Sequence, residues 1–193
     1  MTVWRVAHKV VILATTMPNS VRMNNVYLIL GSNIEKERNL PTAVALLRDR
    51  AKVVAVSTVY ESVPVGLKEQ PDFWNMAVHL QTALSASQLK TQVLAAIEQS
   101  LKRVRLADKN APRTIDLDIV LFNDEVFDYD GGDGRLRHVP DPDLLKFAHV
   151  AVPIAELAPK MLHPETAEPL QNIAQWLYNP AHLCPIQSQS TKS

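Results

Sequence analysis

Apolar positions recur along this chain in two different periods, and the switches between them outline its elements. Val26–Leu30 is a short apolar run stopped by Gly31-Ser32-Asn33, which predicts a buried strand and a turn. Asn39 to Arg50 carries Leu40, Val44 and Leu47 at helical spacing, with Pro41 tolerable in the first turn. Val53 to Val63 alternates and is rich in β-branched residues, so a strand is predicted there. Pro64 to Asp72 holds two prolines and Gly66 and reads as a loop, and Phe73 to Thr82 reads as a further strand.

Ser85-x-x-Gln88 has the form of a capping box, in which serine and glutamine side chains each satisfy a backbone N–H of the first helical turn. It predicts a long helix with the apolar stripe Leu89, Val93, Ala96, Ile97, Leu101 and Val104. Ile115, Leu117, Ile119 and Leu121 then alternate with Asp116, Asp118 and Val120, a strand with one unusual face. Asp128–Gly134 is an acidic, glycine-rich hairpin or loop, and short proline-punctuated helices follow to about Leu177. The order βαββαβ predicts an α+β protein with a ferredoxin-like core and a short helical C-terminal extension.

Residues 25–178 are expected to form a single domain, with no internal repeat. Val10–Ala14 follows Arg5 and Lys9 and loosely resembles a signal peptide, but no small-x-small cleavage site follows it. Residues 1–24 are therefore expected to be a disordered leader or upstream sequence read from an early start codon, with Met23 a plausible start. Residues 179–193, polar and ending in Gln-Ser-Gln-Ser-Thr-Lys-Ser, are expected to be a flexible tail.

Composition narrows the class. The chain has 193 residues, 47% hydrophobic and 21% charged, which is ample for a core and excludes wholesale disorder. Twenty Lys+Arg balance 20 Asp+Glu, which argues against a protein that coats nucleic acid or an anionic membrane. No apolar run approaches the ~20 residues of a membrane span. Cys184 is the only cysteine, so there is no internal disulfide and no thiolate metal cluster. A soluble, cytoplasmic protein is expected, with no nucleic-acid, membrane or protein partner indicated.

The sharpest candidate chemistry lies in Pro112-Arg113-Thr114-Ile115-Asp116-Leu117-Asp118. Residues two apart on a strand face the same way, so the two carboxylates project side by side, ~7 Å apart. They repel unless something positive sits between them, and Mg²⁺ with a phosphate chain would serve. Taken alone, the pair fits a metal site and a solvated strand face equally well. Lys102, Arg103, Arg105, Lys109 and Arg113 place five cations and one acid, Asp108, in the helix end and loop entering that strand. Acids facing a basic loop make a triphosphate site, although a basic helix end is also what the helix dipole favours. Glu98 precedes Lys102 and Arg105 on the face opposite the stripe, as a surface ion-pair residue or a ligand-facing acceptor.

A second stretch, Gln70-Pro71-Asp72-Phe73-Trp74-Asn75, delivers aromatics and an amide from a proline-rich loop onto a strand. Phe73 and Asn75 share a face and Trp74 points the other way. A flat heterocycle would use such a ring to stack on and such an amide to pair with its edge, whereas a core phenylalanine and a turn-capping asparagine would look the same. No P-loop and no dinucleotide fingerprint occurs, and the six histidines lack ligand spacing.

Gly31-Ser32-Asn33, Pro64-Val65-Gly66 with Gln70-Pro71-Asp72-Phe73-x-Asn75, and Pro112-Arg113-Thr114-Ile115-Asp116-Leu117-Asp118 together resemble the 6-hydroxymethyl-7,8-dihydropterin pyrophosphokinase family of folate biosynthesis. The resemblance runs in order from about Val26 to Leu177. It implies the ferredoxin-like α+β fold and transfer of pyrophosphate from ATP to a pterin hydroxymethyl group, with release of AMP. It implies that Asp116 and Asp118 bind two Mg²⁺ that bridge the ATP phosphates. It further implies that Arg103 and Arg113 stabilise the migrating group, that Arg105 is a mobile-loop cation near them, and that Glu98 and Ile119 contact nucleotide. Ser62, Val63, Val65, Phe73 and Asn75 match the pterin pocket, which Asp116 also borders, and residues 106–111 match a loop that closes over ATP.

Four positions depart from the family. Pro140-Asp141-Pro142 stands where most members have a histidine and a tyrosine or proline. Phe147 aligns with a phosphate-contacting arginine, His149 with the pterin-stacking phenylalanine, and Asn110 with a catalytic-loop tryptophan. His149 can still stack on a pterin, and His138 or Lys146 would be the replacements for lost ATP contacts. These departures keep a second reading open: a divergent paralogue that binds pterin or nucleotide with weak activity, or that uses a modified pterin. An RNA-recognition module shares the topology, but two aspartates on a central strand and zero net charge oppose it.

Overall fold

The computed structural model describes residues 22–66, 69–104 and 111–186. An antiparallel sheet forms from β1 (Asn24–Ser32), β2 (Lys52–Val56), β3 (Tyr60–Ser62), β4 (Phe73–Thr82), β5 (Asp116–Phe122) and β8 (Leu183–Pro185). Its order is β5-β1-β4-β3-β8, with β2 also on β4. β6 (Phe127–Asp130) and β7 (Leu136–Val139) make a separate hairpin. The fold is thus α+β.

The sheet is apolar on both faces because helices cover both. Val26, Leu28 and Leu30 of β1, Met76, Val78 and Leu80 of β4, and Leu117 and Ile119 of β5 pack on one face against the helix Lys36–Arg48 and the long helix after Ser85. Tyr27, Ala77, Val120 and Leu121 pack on the other against the helices Ala148–Leu157 and Leu170–Leu177. Leu121 was expected to share a face with Ile119. A register shift between Tyr27 and Leu28 against β5 turns it to the opposite one, and Phe122 joins the first face.

The strand expected over Val53–Val63 is two strands. β2 pairs with the far half of β4 and β3 with its near half, and between them Ser57 accepts the Ala77 N–H on its Oγ at 2.8 Å. The long helix opens at the predicted capping box, where the Ser85 and Gln88 bonds are both present. Leu89–Leu94 then widens into a π turn before Ala95–Ser100 resumes as α-helix. The helix ends there, with Lys102 in the left-handed region (φ 58), so Val104 leaves the expected stripe and is exposed.

The C-terminal segment also differs from expectation. The flexible tail expected from residue 179 does not begin there: Leu183 is buried and pairs with Ser62, and Ile186 donates its N–H to Val59 O. An apolar side chain and an unpaired strand edge hold it against the sheet. The leader expected over 1–24 lies outside the described residues as far as 21, and Asn24 already opens β1. Among the described residues no helix is long and apolar enough to cross a membrane.

Candidate active site

One row of the sheet sets out the site. Asp116 of β5 pairs with Gly31 of β1, which pairs with Asn75 of β4. Paired residues in a sheet point to the same face, and neighbouring strands are about 4.8 Å apart, so the carboxylate and the amide stand about 10 Å apart across a glycine. Gly31 leaves the amide room: a Cβ there would lie 3.2 Å from Asn75 Oδ1, a tight contact. The next row down places Asp118 beside Ile29 on the same face.

A cavity of about 630 Å³ opens above these rows. Its sheet side is lined by Gly31, Ser62, Phe73, Asn75, Asp116 and Asp118. Its other side comes from the segment leading into Ala148–Leu157, with Asp141, Lys146, Phe147 and His149. Val63, Val65 and Arg113 complete the rim. The structure therefore gathers every predicted pterin-pocket residue with both aspartates and one arginine.

The pieces are fixed by hydrogen bonds that explain the motifs. Asn33 accepts the Arg113 N–H on Oδ1 at 2.7 Å, while its Nδ2 donates to Gln70 Oε1 at 2.9 Å and Pro71 O at 3.1 Å. Ser32 Oγ donates to Thr114 O at 2.6 Å. The turn after β1 thus ties the loop before β4 to the segment before β5, so all three motifs meet at one point. Asn75 is buried and donates from Nδ2 to Ser62 Oγ at 2.8 Å, which orients its Oδ1 as acceptor. Trp74 points to the other face, where Nε1 donates to Glu61.

Charge is arranged around the two aspartates. Arg113 donates to Asp116 Oδ2 at 2.5 Å and also lies 5.6 Å over the Phe73 ring, so it bridges the aromatic and acidic halves. Arg103 reaches the same oxygen at 3.6 Å, and its buried Nε has no partner among the described residues. Burial, joined by the charge of Asp118, holds the Asp116 carboxyl above its usual range even against both guanidinium groups. Burial likewise pushes His149 down, so it faces the cavity as a neutral imidazole, stacked on Phe147 at 5.3 Å. Asp141 is raised to about 6, chiefly by burial, with Asp118 adding to it.

Several expectations are redrawn. Glu98 is neither on the surface nor facing the cavity: it is buried and accepts the Leu117 N–H at 3.1 Å. Ile119 is buried in the core of the opposite face, so its side chain does not reach the cavity. His138 does not line it either, lying 2.6 Å from Asp128 and 3.2 Å from Glu165. Arg105 and the 106–110 stretch lie outside the described residues. Sequence reasoning missed Lys90, which is buried with Nζ 2.9 Å from Asp118 Oδ1. The signal was present as the spacing Lys90, Leu94, Glu98. At 3.6 residues per turn, positions eight apart diverge by about 80°, and the wider π turn takes up that difference.

Asp116 and Asp118 line the cavity together with Asp141 and Asp143, and Arg113 and Lys90 hold the first two. Among the described residues no cluster of three or more His, Cys, Asp or Glu makes a self-contained metal site.

Comparison with known proteins agrees with this geometry. The family description 7,8-dihydro-6-hydroxymethylpterin-pyrophosphokinase (HPPK) matches residues 27–159. A 2-amino-4-hydroxy-6-hydroxymethyldihydropteridine pyrophosphokinase of Bacillus subtilis is 41% identical over 139 residues, covering 70% of this chain and 79% of that protein. The Aquifex aeolicus protein of that name is 32% identical over 150 residues, covering 77% and 89%. In fold, the chain resembles wild-type HPPK-DHPS of Plasmodium falciparum, with a TM-score of 0.66 at 14% identity, over 80% of this chain and 45% of that one. A match over most of the chain, carried through the strand that holds both aspartates, places it in the 7,8-dihydro-6-hydroxymethylpterin pyrophosphokinase family, as a pyrophosphokinase.

Proposed function

We propose that the chain transfers the terminal pyrophosphoryl group of ATP to the hydroxymethyl oxygen of 6-hydroxymethyl-7,8-dihydropterin, releasing AMP, in cytoplasmic folate synthesis. The observation that carries the reading is the row Asp116–Gly31–Asn75, which sets an acidic and arginine-rich cluster beside a ring-and-amide wall in one cavity. The names of the two bacterial relatives support the acceptor. The strand order β5-β1-β4-β3 supports a ferredoxin-like βαββαβ framework.

In this reading the pterin edge meets Asn75 Oδ1 and backbone groups near Ser62, Val63 and Val65, with Phe73 and His149 supplying ring faces. Arg113, standing over Phe73 and against Asp116, occupies the junction between ring and phosphates. The hydroxyl oxygen attacks the β-phosphorus, the bond from that phosphorus to the α–β bridging oxygen breaks, AMP leaves with that oxygen, and the hydroxyl proton passes to solvent. Arg103 and Arg113 stabilise the charge on the group in flight.

Asp116 and Asp118 would hold Mg²⁺, two ions with ATP. The donor set fits, because Mg²⁺ takes one or two carboxylates and completes its octahedron with phosphate oxygens and water. When bound, Mg²⁺ neutralises the phosphates and aligns the attacking and leaving oxygens. Lys146 lines the cavity, and in this reading it meets the outer phosphates.

Asp141 favours a second reading, a paralogue of weak activity or one with a modified pterin. Its carboxyl lines the cavity with Asp118, where a triphosphate would meet like charge. AMP formation from ATP, Mg²⁺ and the dihydropterin, in wild type and Asp116→Ala, separates the two. AMP produced in step with pterin pyrophosphate and lost in the variant supports the first. Binding without turnover favours the second, and binding of neither ligand overturns both.

A further inference from the structure

Beneath the two aspartates lies a cation that the reaction as described does not use. Lys90 is 2% exposed. Its ammonium donates to Leu117 O at 2.5 Å and to Asp118 Oδ1 at 2.9 Å, and lies 3.4 Å from Glu98 Oε1. An ammonium has three protons, and here three acceptors surround it. Two of the three are carboxylate oxygens, which is the environment of a charged ammonium.

The cations at the two aspartates differ in kind. Arg113 lines the cavity while paired with Asp116, so its guanidinium borders the space a phosphate oxygen would enter. Lys90 sits on a packed helix with its bonds directed inward, held in place by the π turn of Leu89–Leu94. It is buried, and it engages an Asp118 oxygen that a metal would otherwise share.

A divalent ion arriving at Asp118 therefore meets a fixed positive charge on the same carboxylate. We propose that Lys90 is a positioning residue that acts through Asp118: a resident counter-cation that weakens metal binding to the nucleotide-free site, so that metal enters with the triphosphate. The inference rests on the reading of Asp116 and Asp118 as metal ligands.

The test is an Mn²⁺ titration of nucleotide-free protein, with free ion followed by electron paramagnetic resonance. Lys90→Met is expected to bind Mn²⁺ about tenfold tighter than wild type or more, because the repelled charge is divalent and close. Lys90→Arg, which keeps the charge, should stay near wild type, and Lys90→Met/Asp118→Asn should lose the gain. A lysine that merely braced the fold would give weaker binding on removal, never tighter. Equal or weaker Mn²⁺ binding by Lys90→Met overturns the proposal. If Lys90→Met does not fold, Lys90→Met/Glu98→Gln removes the buried charge pair together, and the same gain is required of it. The same titration with ATP separates the two levels. Mn²⁺ binding in the presence of ATP that Asp116→Ala leaves unchanged sinks the metal-site reading, whereas such binding lost in Asp116→Ala, without tighter nucleotide-free Mn²⁺ binding in Lys90→Met, sinks only the role of Lys90.

Discussion

Asn33→Ala tests whether the three motifs are held together by one side chain. The asparagine is 4% exposed and makes three hydrogen bonds, at 2.7, 2.9 and 3.1 Å, to Arg113 N, Gln70 Oε1 and Pro71 O. A neutral hydrogen bond contributes about 1 kcal/mol net, and a buried group left unpaired costs about 1–3 kcal/mol. Asn33 N and Ser32 Oγ would still anchor the neighbouring strand entry, through Arg113 O and Thr114 O, so the loss is confined to the side-chain bonds. The expected destabilisation is about 3 kcal/mol, a large share of the ~5–15 kcal/mol that holds a domain together. Urea denaturation measures it, and hydrogen exchange at the Arg113 amide localises it. Kinetically, the ring wall and Arg113 lose their shared anchor, so the pterin KM should rise and kcat fall together. A loss under about 1 kcal/mol with Arg113 exchange unchanged would refute the reasoning, because the bonds would then be dispensable.

Two further outcomes follow from single groups in the cavity. Gly31→Ala places a methyl 3.2 Å from Asn75 Oδ1, tight enough to shift the amide by a few tenths of an ångström and misalign its acceptor. It should raise the pterin KM about tenfold while costing about 1 kcal/mol or less of stability, and an unchanged KM in steady-state assays would contradict it. Asp141 is protonated and neutral below about pH 6 and anionic above it. Wild-type ATP affinity should therefore fall as pH rises through about 6. Asp141→Asn keeps the acceptor for Asp143 N–H and should bind ATP about three- to tenfold tighter at pH 7.5, without that pH step. Because the folded pKa is raised from 3.8, the proton favours the folded state, and this group's stabilising contribution is lost between about pH 4 and 6. Weaker ATP binding by Asp141→Asn would show that the carboxylate helps the site instead.

Much of the frame was legible because local rules and tertiary structure agree here. The capping box at Ser85, the alternation around Asp116 and Asp118, and the shared face of Phe73 and Asn75 each depend on neighbours in sequence. Departures occurred where a contact distant in sequence decided the outcome. The break between β2 and β3 depends on the Ser57 hydroxyl entering the β4 ladder twenty residues away. The fate of Leu183 depends on an open edge at β3. Glu98 and Lys90 were misjudged or missed for one reason, the π turn, which rotates the downstream helix and has no composition signature. Gly31-Ser32-Asn33 reads in sequence only as a turn because the work of Asn33 is done on two remote segments.

The charge pattern of the site follows from placing two acids on one strand face. Their mutual repulsion must be offset before any ligand arrives, and an external metal cannot be the only remedy if the free protein is to stay folded. The chain uses a different kind of cation for each acid. Asp116 is met by guanidinium groups, one of them at the cavity rim over Phe73, in a position to exchange a carboxylate for a phosphate when substrate binds. Asp118 is met from below by a buried ammonium that does not line the cavity. On the proposed reaction, Asp116 is the carboxylate whose partners change when substrate binds, while Asp118 keeps its ammonium. Substitution at Asp116 should therefore alter both ligand-free stability and turnover, whereas Lys90 sets how strongly Asp118 attracts metal before nucleotide is present.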